Sequence, residues 1–182
     1  MESQDEIWIL TDNRPGTAAQ AIGLAEELSR QNGLKFINIP LTYSFLAKLP
    51  NFFLRKSLWR LSKHSRQELK NKSYRPKIII SSGRRSAPIA LNLKNITAKP
   101  IMIIQIMNPN LDFNEFDFVI LPKHDKIAQK SPNVIRSIGS LTRINDSIIQ
   151  NECIKFSQEF SNITNKKIAL FIGGDSKNTK FT

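Results

Sequence analysis

The sequence holds one cysteine, Cys153, and two histidines, His64 and His124, among 182 residues. One thiol excludes an internal disulfide, and two imidazoles beside a single sulfur leave no zinc-ligand spacing, so no metal is expected. Neither the P-loop pattern nor the dinucleotide fingerprint occurs. No apolar run approaches the roughly 20 residues that cross a bilayer. The acidic N-terminus and the short run EIWIL predict no signal peptide. Repeats and low-complexity linkers are missing too. The expectation is a cytoplasmic protein in a reducing compartment, without a cofactor.

Positive charge, by contrast, is plentiful: 27 lysines and arginines against 15 acidic residues, a net of +12. Its distribution is uneven. Residues 1–43 carry three basic and six acidic side chains, whereas 44–75 carry nine basic ones against Glu68 alone, a net of +8. Such a balance favours polyanionic partners: anionic lipid, nucleic acid or phosphorylated small molecules.

Short apolar runs alternate with helical periodicity. Strands are predicted at 6–11, 35–41, 77–82, 101–107, 116–122, 133–139 and 167–174, the last reading KIALFIGG. Ala18, Ile22, Ala25 and Leu28 recur at helical spacing, with Thr17 as N-cap and Gly33 as C-terminal stop. Further helices are predicted at 86–95 and at about 145–161, the latter carrying Cys153 into a core. Strands apolar on both faces and separated by helices describe a parallel sheet covered on both sides, a doubly wound, Rossmann-like α/β domain.

In such a sheet, ligands bind beyond the carboxyl ends of the strands, where helix N-termini offer free N–H groups. The turns there read Asp12-Asn13-Arg14-Pro15-Gly16-Thr17, Gly83-Arg84-Arg85-Ser86, Asn108-Pro109-Asn110, Pro122-Lys123-His124-Asp125 and Gly173-Gly174-Asp175-Ser176-Lys177. Glycine lets the backbone approach a phosphate, and arginine grips phosphate or carboxylate through parallel hydrogen bonds. Anion binding is therefore expected at Asp12, Arg14, Gly16, Gly83, Arg84, Arg85 and Ser86. Two adjacent arginines at a helix N-terminus oppose the helix dipole, a conflict that a bound anion relieves. The plainer alternative is a turn glycine followed by two solvated arginines. Asp12 can equally form a turn, and His124 can equally lie on a surface loop.

The basic segment SFLAKLPNFFLRKSLWRLSKHSRQELK (44–70) interleaves aromatics with lysine and arginine. Pro50 divides it into two helices, with Asn51 capping the second. Leu54, Leu58 and Leu61 suit the sheet side. Phe53, Arg55, Lys56, Trp59, Arg60 and Lys63 suit an anionic membrane surface. Alternatively, the aromatics fill the core beneath a solvated basic face. Nucleic acid is a third reading, although stacking aromatics usually lie on a sheet face or in a groove.

Five blocks, WILTDNRPGTAAQAIGLAEEL, SSGRRSAPIAL, FDFVILPKHD, NVIRSIGSLTRI and LFIGGDSKN, resemble in this order the mitochondrial fission ELM (elongated-mitochondria) family, which has members in bacteria as well as in plants. The family is similar in fold to the GT-B glycosyltransferases, whose two Rossmann-like domains face a cleft. The resemblance implies an acceptor-side domain over 1–165 and the first stub of a nucleotide-sugar domain over 166–182. It also implies that Gly173, Gly174, Ser176 and Lys177 form a donor-phosphate turn, and that His124 or Asp125 acts as a base. Asn13, and Asn108-Pro109-Asn110, depart from the glycine and the DPR-like turn usual in relatives. The implied ligand is a phosphorylated or lipid-linked acceptor, met at the inner face of the membrane. The implied partner is a second polypeptide supplying the missing domain, without which no sugar transfer is expected. The alternative is a non-enzymatic membrane scaffold or a nucleic-acid-binding module.

Overall fold

The computed structural model describes residues 6–49, 57–72, 76–96, 100–127, 131–172, 174 and 180. The chain divides into two compact units, Met1–Arg143 and Ile144–Thr182. The described residues of the first contain six strands: β1 (Glu6–Thr11), β2 (Lys35–Pro40), β3 (Ile78–Ser82), β4 (Met102–Ile106), β5 (Phe118–Pro122) and β6 (Val134–Ser137). Its helices are α1 (Pro15–Asn32), α2 (Lys63–Asn71) and α3 (Gly83–Asn95). Short 3-10 turns at Phe45–Lys48 and Leu58–Arg60 lie between β2 and α2.

All six strands are parallel, in the order β2-β1-β3-β4-β5-β6. The doubly wound α/β architecture expected from the sequence is therefore present. Alternate residues of a strand face opposite sides of a sheet, and here both sides are apolar. Trp8, Leu10, Ile79, Ile103 and Val119 form one layer with Leu69 of α2 and the Ile89–Leu93 stretch of α3. Ile7, Ile9, Ile80, Ile104 and Ile106 form the other with Ala21 and Ala25 of α1. Only the edge strands β2 and β6 are largely open to solvent.

Strand β1 pairs with β2 on one side and β3 on the other, so Ile9 stands between Asn38 and Ile80. The chain leaves β1 and β3 in opposite directions. A crevice opens between their carboxyl ends, the position at which open α/β sheets hold ligands.

Helix starts differ from expectation in an instructive way. Helix α1 begins at Pro15, not after Thr17, with Arg14 as its N-cap. Proline lacks the N–H that a first helical residue would leave unbonded, and its fixed φ already suits the helix. Gly33 ends the helix as expected, in the left-handed region at φ 68°. Helix α3 begins at Gly83 rather than 86, which places Arg84 and Arg85 inside its first turn.

In the second unit, α4 (Asp146–Lys155) is capped by Asn145, whose side chain accepts a hydrogen bond from Ile148 N. Cys153 is exposed rather than in a core, because no residue of α4 is buried. Residues 167–172 form no strand, contrary to expectation. The described residues of this unit include no strand that could ladder with them, and Ile168, Leu170 and Phe171 are exposed.

Gly23 of α1 faces the backbone of Thr142, where an added Cβ would stand 2.6 Å from the Thr142 carbonyl oxygen. Alanine normally favours a helix over glycine by about 1 kcal/mol, but here backbone would have to move. Gly23→Ala is expected to destabilise the chain by about 1–3 kcal/mol, measured by urea unfolding. A stabilised variant would show that this contact is not close-packed.

Candidate anion site at the strand switch point

The turn after β1 is set by Asp12. Its Oδ1 accepts a hydrogen bond from Arg14 N at 3.1 Å, and its side chain is almost fully buried while that of Arg14 reaches solvent. The turn after β3 is set by Gly83, whose φ of 76° is one that other residues adopt only with strain. A cavity of about 240 Å³ lies between these turns. It is lined by Asp12, Arg14, Ser82, Gly83, Arg84 and Arg85, and closed by Met107, Asn110 and Asp125 from the neighbouring strand ends.

Gln105 of β4 fixes this geometry. It is fully buried in an otherwise apolar strand. Its Nε2 donates to the carbonyls of Gly83 (3.2 Å), Ile106 (2.7 Å) and Met107 (3.1 Å), while its Oε1 accepts from Ser81 Oγ at 2.6 Å. Met107 and Asn110 hold φ of 65° and 53°, values uncommon outside glycine. Met107 is kept there by its N–H bond to the Ile120 carbonyl and by Gln105. Backbone strain of this kind persists only where the surroundings over-determine it, and it gathers at functional sites.

Positive charge is in slight excess. Arg14, Arg84 and Arg85 face the cavity together with two carboxylates, Asp125 and Asp12, the latter 3.9 Å from the Arg14 guanidinium. Ser82, the residue before α3, is 4% exposed, and its Oγ has no hydrogen-bond partner among the described residues. The first N–H groups of a helix lack intrahelical acceptors. A buried unsatisfied hydroxyl, a helix N-terminus and three guanidinium groups thus converge on one small volume.

Beside it, the Arg85 guanidinium lies 5.7 Å from the centre of the Tyr43 ring. Burial, and then the negative charge of Asp12, raise the Tyr43 phenol above its ordinary range. Arg60 is fully buried; burial and then the nearby Arg84 charge hold its guanidinium below its ordinary range.

A family model described as mitochondrial fission ELM1 matches residues 15–182, nearly the whole chain. The chain belongs to the mitochondrial fission ELM1 family. An uncharacterized protein of Rickettsia prowazekii (strain Madrid E) is 43% identical over 119 residues, covering 65% of this chain and 32% of that protein. The mitochondrial fission protein ELM1 of Arabidopsis thaliana is 23% identical over 127 residues, covering 58% of this chain and 30% of its own length. The matched part thus spans about a third of each of these relatives. No solved structure matches.

Of the residues expected to bind an anion at the carboxyl ends of the strands, Asp12, Arg14, Gly83, Arg84 and Arg85 meet at the cavity. Gly16 is exposed and lines a separate hollow over α1. Ser86 is fully buried and donates its hydroxyl to the Ser82 carbonyl at 2.8 Å, so it braces the turn rather than facing a ligand. Asp125 lines the cavity, whereas His124 is exposed, its Nε2 3.7 Å from Asp125 Oδ1. The Asp125 turn is pinned by Arg136 of β6, which donates to the carbonyls of Pro122 (3.2 Å) and Asp125 (3.0 Å).

Arg60, expected on a membrane-facing surface, is instead buried and donates to the Leu49 carbonyl at 3.3 Å. Trp59 and Lys63, expected on the same surface, are exposed. Phe53, Arg55, Lys56, Gly173, Ser176 and Lys177 lie outside the described residues; Gly174 is exposed. Among the described residues, no helix is long and apolar enough to cross a membrane, and no cluster of three potential metal ligands occurs.

Gln105, Tyr43 and Arg136 were not singled out by sequence reasoning. Gln105 did leave a trace, as the one polar residue inside IMIIQIM. Replacing it by leucine keeps the volume and removes the tie to three carbonyls. Gln105→Leu is expected to destabilise the fold by about 1–3 kcal/mol and to speed amide exchange at Arg84 and Asn108. Unchanged stability and exchange would show that the turns are held by something else.

Proposed function

We propose that this chain binds a phosphate-bearing small molecule in the arginine cavity and forms the acceptor-side half of a glycosyltransferase-like protein. The convergence of Arg14, Arg84 and Arg85 with the unpartnered Ser82 hydroxyl at the start of α3 carries the reading. A phosphate would accept hydrogen bonds from all of them and offset their mutual repulsion. The resemblance to GT-B enzymes supports an acceptor whose hydroxyl attacks a nucleotide sugar. On this reading Asp125, at the cavity wall, is better placed than His124 to take the hydroxyl proton.

Calorimetric titration with inorganic pyrophosphate tests this. The wild-type chain is expected to bind, and the double substitution Arg84→Ala and Arg85→Ala to weaken binding by at least about tenfold, given the worth of charge-assisted hydrogen bonds. Unfolding curves should stay close to wild type. Absence of binding, or binding indifferent to both arginines, would sink the proposal.

Peripheral attachment to an anionic membrane is a second reading, and a specific surface favours it. Phe45 and Trp59 are 80% and 63% exposed. Their two turns are tied by Ser44 Oγ donating to the Trp59 carbonyl at 3.2 Å and by Ser44 N donating to the Arg60 carbonyl at 2.8 Å. Lys48, Lys63 and Arg66 share this segment, Arg66 stacking over the Trp59 ring at 4.9 Å. Co-sedimentation with phosphatidylglycerol vesicles but not phosphatidylcholine vesicles is expected, and Phe45→Ala with Trp59→Ala should abolish it. Equal binding to both vesicles, or none, would reject attachment through this face.

A further inference from the structure

The arginine cavity has a neighbour. A hollow of about 440 Å³ is lined by the Leu41–Phe45 stretch, with Asn13, Ala47 and Lys48 nearby and Arg85 on the wall it shares with the first cavity. Three hydroxyls belong to this wall, and two are already engaged. Thr42 Oγ1 pairs with Ser62 Oγ (2.5 Å) and Ser65 Oγ (2.9 Å), and Ser44 Oγ donates to the Trp59 carbonyl. The third, on Tyr43, is buried and has no hydrogen-bond partner among the described residues.

A buried hydroxyl left without a partner is destabilising, because folding has stripped its water and supplied nothing in return. At neutral pH the phenol stays protonated, since burial raises it, and it can both donate to and accept from a ligand hydroxyl. The Arg85 guanidinium, 5.7 Å from the Tyr43 ring centre, borders both cavities. The remaining wall joins apolar Leu41, Phe45 and Ala47, which suit carbon, to the polar Asn13 and Lys48.

We infer that one ligand spans both cavities, its phosphate held by the arginines and a hydroxyl-bearing organic group held in the Tyr43 hollow, with Tyr43 as the specificity-determining residue. The inference rests on the phosphate-binding reading and adds what the phosphate is attached to. Arg85 then contacts the bridging region of the ligand, and Arg14 and Arg84 contact the phosphate alone.

Parallel titrations with inorganic phosphate and glucose 1-phosphate, a simple hydroxyl-bearing organophosphate, test it on the wild-type chain and on Tyr43→Phe, with thermal unfolding of both. Wild type should prefer glucose 1-phosphate by about tenfold, the worth of one good hydrogen bond to a buried donor. Tyr43→Phe should lose most of that preference and keep its affinity for inorganic phosphate. Its melting temperature should be equal to or above that of wild type, because a dry hydroxyl has been removed. A tyrosine with a merely structural role would instead lower the melting temperature and weaken both ligands alike, overturning the inference. So would a wild-type chain that binds both ligands equally, or a variant that keeps the preference. Failure of the wild-type chain to bind either ligand would overturn the phosphate-binding reading along with it.

Discussion

The Gln105 carboxamide sits where two βα turns meet without any ladder of their own, and it supplies the hydrogen bonds that the ladder no longer can. Beyond the carboxyl ends of parallel strands, backbone groups run out of regular partners. Gln105 reaches the carbonyl of Gly83 on one turn and those of Ile106 and Met107 on its own, while the Ser81 hydroxyl holds its other end. With no solvent to compete, these bonds are strong and their loss is costly. The positions of Arg84 and Arg85, the left-handed Met107 and the volume between them all follow from that one buried side chain.

Around this frame the charges are arranged to tolerate crowding. Guanidinium is planar and weakly hydrated, so it stacks on aromatic rings and accepts partial burial where an ammonium would not. Arg85 rests near Tyr43, and Arg60 lies buried behind Arg84. Asp12 is drawn into the same cluster, close enough to help raise the Tyr43 phenol. In a fold whose +12 charge is spread unevenly, this is a point where positive charge is both concentrated and sheltered from solvent, which strengthens its pull on an anion.

The sheet was legible because its strands are apolar on both faces, and the carboxyl-end turns could be read off once the strands were placed. Strand positions therefore carried Asp12, Arg14, Gly83, Arg84, Arg85 and Asp125 to the right rim. The failures share a cause: residue type was taken as a guide to exposure. Ser86 and Arg60 read as ligand and membrane contacts, yet tertiary packing buries both and spends them on backbone carbonyls. Conversely KIALFI reads as a strand by composition, but a strand needs a neighbour, and among the described residues of its unit none exists. The Tyr43 hydroxyl could not be foreseen at all, since being buried and unsatisfied depends on residues distant in sequence.

During synthesis β1 leaves the ribosome before the other strands of its sheet, yet it occupies the sheet interior, with Ile9 waiting for Asn38 on one side and for Ile80 on the other. Pairings between strands so distant along the chain form late, because loop closure must come before the contacts that reward it. The nascent chain therefore exposes an apolar strand, EIWIL, until β3 has emerged, and its cavity lacks the tie between its turns until Gln105 follows and a far wall until Asp125 does. A small molecule that fills the cavity would reward only chains made past that point, stabilising the completed fold and leaving shorter nascent chains to quality control.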